Sequence, residues 1–396
     1  MPEPLHLGVA LNGAGWHPAA WREPGARPRE LFTARYWLDQ VTEAERGLLD
    51  FVTFEDSLAL QSSHRSGPDG RTDQVRGRLD AVLVAARVAP LTSNIGLIPT
   101  AIATHTEPFH LSKAIATLDY VSTGRAGFRI RVSGSPEEAA LFGRRTVEPY
   151  RLEDADRPGT AIAALFDEAA DYVEVVRRLW DSWEDDAEIR DAATGRFVDR
   201  EKLHYIDFEG PYFSVRGPSI TPRPPQGQPI VSALAHRLVP YQLVGRSADL
   251  GFVTPHDANG ARAILAEIRA AQAAAGRADE TVHIVGDVVV FLDDHDTTAG
   301  DRKARLDELA GDPLHSDALV VTGTPAQLAD LVLEWREAGL SGARLRPGAL
   351  PHDLQQITRG LVPELQRRGA FRTAYEADTL RGLLGLPRPA NRYATV

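Results

Sequence analysis

The chain of 396 residues contains no cysteine. Disulfides, thiolate nucleophiles, iron–sulfur clusters and cysteine-ligated zinc are excluded together. Lysine is almost missing as well, with Lys113, Lys202 and Lys303 the only examples, so nearly all positive charge is arginine. No stretch approaches the ~18 consecutive apolar residues of a membrane-spanning helix. The opening MPEPLHLGVALNG lacks the basic start of a secretory signal, and a soluble, cytoplasmic protein is expected. A basic surface is also lacking: 44 basic against 55 acidic residues give a net charge of -11, which argues against broad contact with nucleic acid. HExxH, P-loop and GxSxG sequences are absent, removing the usual anchors for zincin, P-loop NTPase and α/β-hydrolase chemistry. Twelve histidines are scattered, and His105 and His110 straddle a helix start at poor spacing for a shared metal, so no metal site is expected.

What is present is alternation. Eight apolar runs read as strands, at 5–11, 49–54, 94–101, 125–133, 229–234, 248–254, 282–292 and 342–347. Amphipathic stretches between them read as helices, among them 36–47, 79–88, 108–121, 162–180, 258–275, 325–338 and 353–368. Eight such units predict parallel strands with right-handed crossovers, and hence an α/β fold closed into a (β/α)8 TIM barrel. A doubly wound sheet is the alternative, but no dinucleotide fingerprint supports it. NGAGWHP follows the first strand yet has Pro18 where the third glycine belongs, and reads as a tight glycine turn. The rhythm breaks across 181–228, first acidic and then proline-rich. That stretch is expected as an insertion between units four and five, on the C-terminal face where barrel chemistry sits. The whole of 1–396 is expected to be one domain, with 387–396 as an extended tail.

Two strand ends carry charge. Glu55 and Asp56 close the second strand; by residue type they read as a helix N-cap or a solvated loop pair, and their place at a strand's C-terminal end raises the case for function. In the fourth, alternation places Gly127, Arg129, Arg131 and Ser133 on one face, and Phe128, Ile130 and Val132 on the other. The apolar set suits the surrounding helices, which turns the arginines inward. Buried guanidinium requires carboxylates or an anionic ligand, and Glu55, Asp56 or a bound phosphate are the available partners.

Several segments carry a resemblance. LNGAGWHPAAWREP (11–24), FVTFEDSLAL (51–60), THTEPFHLSKAIATLDYVSTGRAGF (104–128), DYVEVVRRLWDSWEDDA (171–187) and HYIDFEGPYFSVRGPSITPRPPQGQPI (204–230) resemble the bacterial luciferase-like superfamily. Within it they are similar to the nitrilotriacetate, dibenzothiophene-sulfone and pristinamycin monooxygenase branch. The resemblance implies a TIM barrel using reduced FMN, supplied by a separate flavin reductase, with O2 to oxygenate a small organic substrate. A homodimer or homotetramer is implied too. By position, His17 and Arg129 become catalytic candidates. Asp56, Thr100, Ser133, His236 and Arg237 become cofactor-binding candidates, and Trp16, His105 and Arg131 line the substrate pocket.

Some positions depart from the family pattern. Gly-Trp-Asn is replaced by Gly127, Phe128 and Arg129, and a tyrosine by His105. The His and Tyr that hold the flavin phosphate fall on Ile162 and Phe166, and a glycine-serine-serine clamp falls on Ala235, His236 and Arg237. Two readings follow. One is an FMN-dependent monooxygenase with a remodelled phosphate site using Arg237 and Arg129. The other is a member that no longer binds FMN, serving as a non-catalytic subunit or a flavin-independent enzyme; F420 or another cofactor is a further alternative.

Overall fold

Short β-rich runs bounded by glycine, proline and polar turns make nine parallel strands in the computed structural model. They are β1 (His6–Leu11), β2 (Phe51–Phe54), β3 (Gly96–Ile102), β4 (Gly127–Arg131), β5 (Ile230–Ala235), β6 (Leu250–Val253), β7 (His283–Leu292), β8 (Leu319–Gly323) and β9 (Gly342–Pro347). The structure describes residues 4–394 apart from 63, 65, 66, 149–158 and 295–297. Neighbours run β6-β5-β4-β3-β2-β1-β9-β7, and β6 pairs with β7, so eight strands close into a barrel. This is the expected TIM barrel, and its eight strands are the eight read from the sequence.

The ninth strand is new. β6 follows β7 only as far as the Val253–Gly286 pairing, and β8 then takes over along Val288–Leu292. It escaped the sequence because Leu319–Gly323 is half-exposed and lacks the alternation that marks a buried-face strand.

Helices cover the barrel: α1 (Ala34–Arg46), α2 (Ala81–Val88), α3 (Pro108–Val121), α4 (Pro136–Phe142), α5 (Ala161–Asp181), α6 (Leu238–Ser247), α7 (Ala258–Ala274), α8 (Ala299–Ala310) and α9 (Pro325–Glu337). Thr33, Asp80, Ser135 and Thr160 cap four of their N-termini by accepting from backbone N–H groups. The helix expected at 353–368 is interrupted. His352–Gln356 and Val362–Arg367 flank a wider π turn, Ile357–Leu361, where Pro363 has no N–H to give the preceding turn. Among the described residues no helix is long and apolar enough to cross a membrane.

The outward faces of the strands, with Leu7, Val9, Val52 and Phe128, join Val41, Ile115, Val176 and Trp335 of the helices in one continuous core. A second cluster fills the barrel's N-terminal end: Phe51, Ile98, Ile230, Phe252 and Val285, plugged by Leu380 and Leu384 from the C-terminal segment. Glycine is required at position 8, because a Cβ there would lie 2.1 Å from the Phe51 ring. This end is sealed with apolar side chains, so a ligand reaches the interior from the strands' C-terminal ends.

The position of 181–228 corrects the sequence reading. The stretch follows a helix and precedes a strand, so it belongs to the N-terminal face, opposite the mouth. It carries two hairpins, Glu188–Asp191 with Arg196–Val198 and Phe208–Glu209 with Ser214–Val215. Near its end, the Gln226 side chain donates to the Ala126 carbonyl and accepts from the Arg381 N–H, beside the plug. The tail does not extend freely either. Arg388 pairs with Asp185, Asn391 donates to the carbonyls of Asp181 and Trp183, and Tyr393 stacks on His204; 395–396 lie outside the described residues. Long insertions do occupy the C-terminal face, but they are the described parts of the segments after β2 and after β4, the second carrying α4. Part of the divergent 134–161 segment, 149–158, lies outside the described residues.

Candidate active site

Above the apolar plug the barrel interior is charged. Arg344 grips Asp287 side-on, Nε to Oδ1 at 2.6 Å and Nη2 to Oδ2 at 2.5 Å. It also donates to Thr53 Oγ1 at 3.1 Å and lies over the Phe252 ring, 4.1 Å from its centroid. Arg346 donates to the same Asp287 from Nε at 2.9 Å and to Asp317 from Nη1 at 2.8 Å, while the Trp16 ring covers its guanidinium. Arg129 binds Glu55, and its Nε and Nη2 reach Thr100 Oγ1 at 3.0 and 2.9 Å. Arg344 joins the two halves through Glu55 at 3.4 Å. Three carboxylates thus meet three guanidiniums, and Arg344 and Arg346 are 0% and 1% exposed. A charge so placed is tolerable only because each has a partner. Burial alone would raise the pKa of Glu55, but Arg129, Arg344 and Arg346 hold it below the usual carboxylate range. Asp287 is held down in the same way by Arg344 and Arg346, against burial. Burial brings Arg129 down to about 10, so it stays cationic at neutral pH.

This network floors a cavity of about 630 Å³ at the strands' C-terminal ends. One wall is charged and comes from the β2 and β4 ends, with Asp56, Arg78, Arg131 and Glu138; the other is apolar, with Phe166, Leu234, Pro240 and Leu243. Asp56 is committed to backbone, accepting from Ala81 N at the start of α2 and from Ser57 N. Burial nevertheless raises its pKa, against those two bonds. Arg131 donates to the Asp56 carbonyl and lies 3.4 Å from Glu138. Glu138 also accepts from Ser57 Oγ and Leu58 N. His236 stands at the rim, with Nε2 3.2 Å from Asp317 and Nδ1 3.1 Å from Thr254 Oγ1. Burial lowers its pKa while Asp317 opposes that.

Of the residues singled out by sequence, Trp16, Asp56, Arg129, Arg131 and His236 line this cavity. Thr100 lies behind Arg129 as its acceptor. The others lie elsewhere. His17 is buried between β1 and α8, with Nε2 on Asp307 at 3.0 Å and Nδ1 accepting from Ala19 N; burial lowers its pKa, against the pull of Asp307. This imidazole ties the turn after β1 to α8 and lies outside the cavity lining. Ser133 accepts from Ser135 N and donates its own N–H to Thr104. Arg237 sits at the N-cap position of α6, outside the cavity lining. His105 stacks on Phe142 in a separate pocket of about 230 Å³ with Arg145 and Glu168. The turn 12–18 is the glycine turn expected: Gly15 N–H bonds the Asn12 carbonyl, and at φ +136° a Cβ would meet the Gly348 carbonyl at 2.4 Å.

Asp287, Arg344, Arg346, Asp317, Arg78 and Glu138 escaped the sequence reading. Two signals were available. Asp287 is a lone carboxylate inside the apolar run HIVGDVVVFL, and Arg344 and Arg346 repeat the Arg-x-Arg alternation of Arg129 and Arg131. Arg78 and Glu138 lie in insertions with no periodic pattern to reveal them.

Comparison with known proteins meets this geometry. The chain is 31% identical to the N-acetyl-S-(2-succino)cysteine monooxygenase of Bacillus subtilis, with 98% of each chain covered. It is 29% identical to the nitrilotriacetate monooxygenase component A of Aminobacter aminovorans, again with 98% of each covered. The solved structure of a long-chain alkane monooxygenase matches the fold with a TM-score of 0.85 at 22% identity, over 97% of this chain and 96% of that one. Residues 14–306 match the model of the luciferase-like monooxygenases, which takes in the barrel from the first turn through β7. The chain therefore belongs to the luciferase-like monooxygenase family.

Proposed function

We propose that this protein is a monooxygenase that uses reduced FMN and O2 to oxygenate a small organic substrate in the strand-end cavity. The observation that carries the reading is the cavity itself: about 630 Å³, open at the mouth, sealed below, and walled by both charged and apolar residues. That volume falls in the range of small-molecule and cofactor sites. The residues fit a flavin in kind, with the Trp16 ring and the Phe166–Leu234 wall for a flat apolar body and cationic side chains for an anionic end. Reduced flavin, when bound, supplies the two electrons and two protons that turn one oxygen atom of O2 into water while the other enters the substrate. The chain's own part is to orient both molecules and exclude water. The ion network does this from below by holding Arg129 and Arg346 fixed at the cavity floor. A separate reductase as source of the flavin is supported by the relative designated component A.

One observation favours a second reading, a member that does not bind FMN. Ile162 is buried and Phe166 lines the cavity, so the corner where the family resemblance places phosphate ligands is apolar. Anaerobic titration of the purified protein with FMN and reduced FMN decides between them. Saturable binding of reduced FMN, followed by oxygen uptake in the presence of a reductase, supports the first reading. No binding up to millimolar flavin overturns it and leaves the second.

A further inference from the structure

Arg78 lines the cavity, yet its buried Nε has no hydrogen-bond partner, and among the described residues no carboxylate lies within ion-pairing distance of its guanidinium. The acids around it have other partners, although Glu138 spends only Oε1 on them and its buried Oε2 has none. Glu55 belongs to Arg129 and Arg344, Asp56 to the Ala81 and Ser57 amides, and Glu138 to Ser57, Leu58 and Arg131. Burial lowers the Arg78 pKa, with Glu55 and Asp56 offsetting part of that at longer range. A guanidinium cannot discharge at physiological pH, so the group remains a partly desolvated cation with donors unspent. Buried polar groups are almost always satisfied in native proteins, and the missing partner is best sought in the space that Arg78 faces. Phe166, Leu234 and Leu243, which line the same cavity, offer apolar surface.

We infer that Arg78, together with Arg131 on the same cavity, receives the oxyanion of a ligand whose apolar body lies against Phe166, Leu234 and Leu243. The oxyanion is a carboxylate or a phosphate, carried by the organic substrate or by the flavin. The inference rests on the monooxygenase reading only in choosing this cavity as the binding site.

Two pairs of probes separate the sources: 3-phenylpropanoate against its neutral amide, and FMN against riboflavin. Each is titrated calorimetrically into the wild-type chain and into Arg78→Gln. In at least one pair the anionic member binds about tenfold more tightly than the neutral one, the scale of a charge-assisted hydrogen bond, and Arg78→Gln removes that preference. Preference within the first pair assigns the anion to the substrate, and within the second to the flavin. If neither pair discriminates in the wild type, or if Arg78→Gln keeps the discrimination, the inference is wrong. Absence of any flavin binding, with the carboxylate preference intact, would remove the FMN reading and leave this one standing.

Discussion

Arg344, deep in the barrel, gives its guanidinium to Asp287, Thr53 and Glu55, whereas Arg78, at the mouth, gives its own to no described side chain. The sequence writes both as arginines beside short apolar runs. Their surroundings differ because the interior is closed from below by Phe51, Ile98 and Leu380 and must neutralise itself, while the mouth opens on solvent and can take its counter-charge from a ligand. The same residue type is thus structural where every donor is spent and available for recognition where donors remain.

The largest test of this contrast is Asp287→Ala. It removes the carboxylate that Arg344 and Arg346 share, leaving them Glu55 at 3.4 Å and Asp317 at 2.8 Å, and a loss of about 3 kcal/mol is expected by denaturant unfolding, the low end of the cost of breaking a buried ion pair. A loss below about 1 kcal/mol would break the comparison. At the sealed end, His283 bonds Ser341 Oγ and the Leu384 carbonyl, and burial, with His6 beside it, pushes its pKa down to about 4. The unfolded chain takes up this proton near pH 6.5 and the folded chain only near 4. Stability is therefore complete above the unfolded pKa and falls as pH drops through that window, by up to roughly 3 kcal/mol. His283→Gln should flatten unfolding free energy between pH 6.5 and 4; an unchanged slope would assign the loss to other groups. Glu55→Gln keeps the shape but removes the charge shared by Arg129 and Arg344, and a cost of about 1–3 kcal/mol is expected from thermal and urea unfolding. The smallest change is at the mouth. Arg78→Gln breaks no ion pair and should move stability by no more than about 0.5 kcal/mol. A larger loss would mean that Arg78 belongs with the structural set.

The barrel was legible because alternation is local. Apolar runs bounded by glycine, proline and polar residues showed the eight barrel strands, and the Phe128–Ile130 face showed which way Arg129 points. Legibility ended where order depends on contacts. The half-exposed β8, the short α4 and the mouth insertions carry no period; the face of 181–228, by contrast, follows from its place between a helix and a strand, which the sequence reading did not use. Of the residues singled out by sequence, Trp16, Asp56, Arg129, Arg131 and His236 line the cavity, whereas His17 and Arg237 lie outside its lining.

By itself the sequence determined the parallel β/α alternation, the absence of thiol chemistry, and the inward face of β4, all of which follow from composition or from a two-residue period. Which charge neutralises which was decided only when the barrel closed. Glu55 stands 74 residues from Arg129 and 289 from Arg344, and strand order and register across the closed sheet make them neighbours. Desolvation then demands that each buried ion find a partner, and Arg78, left without one at the mouth, is a product of that same closure.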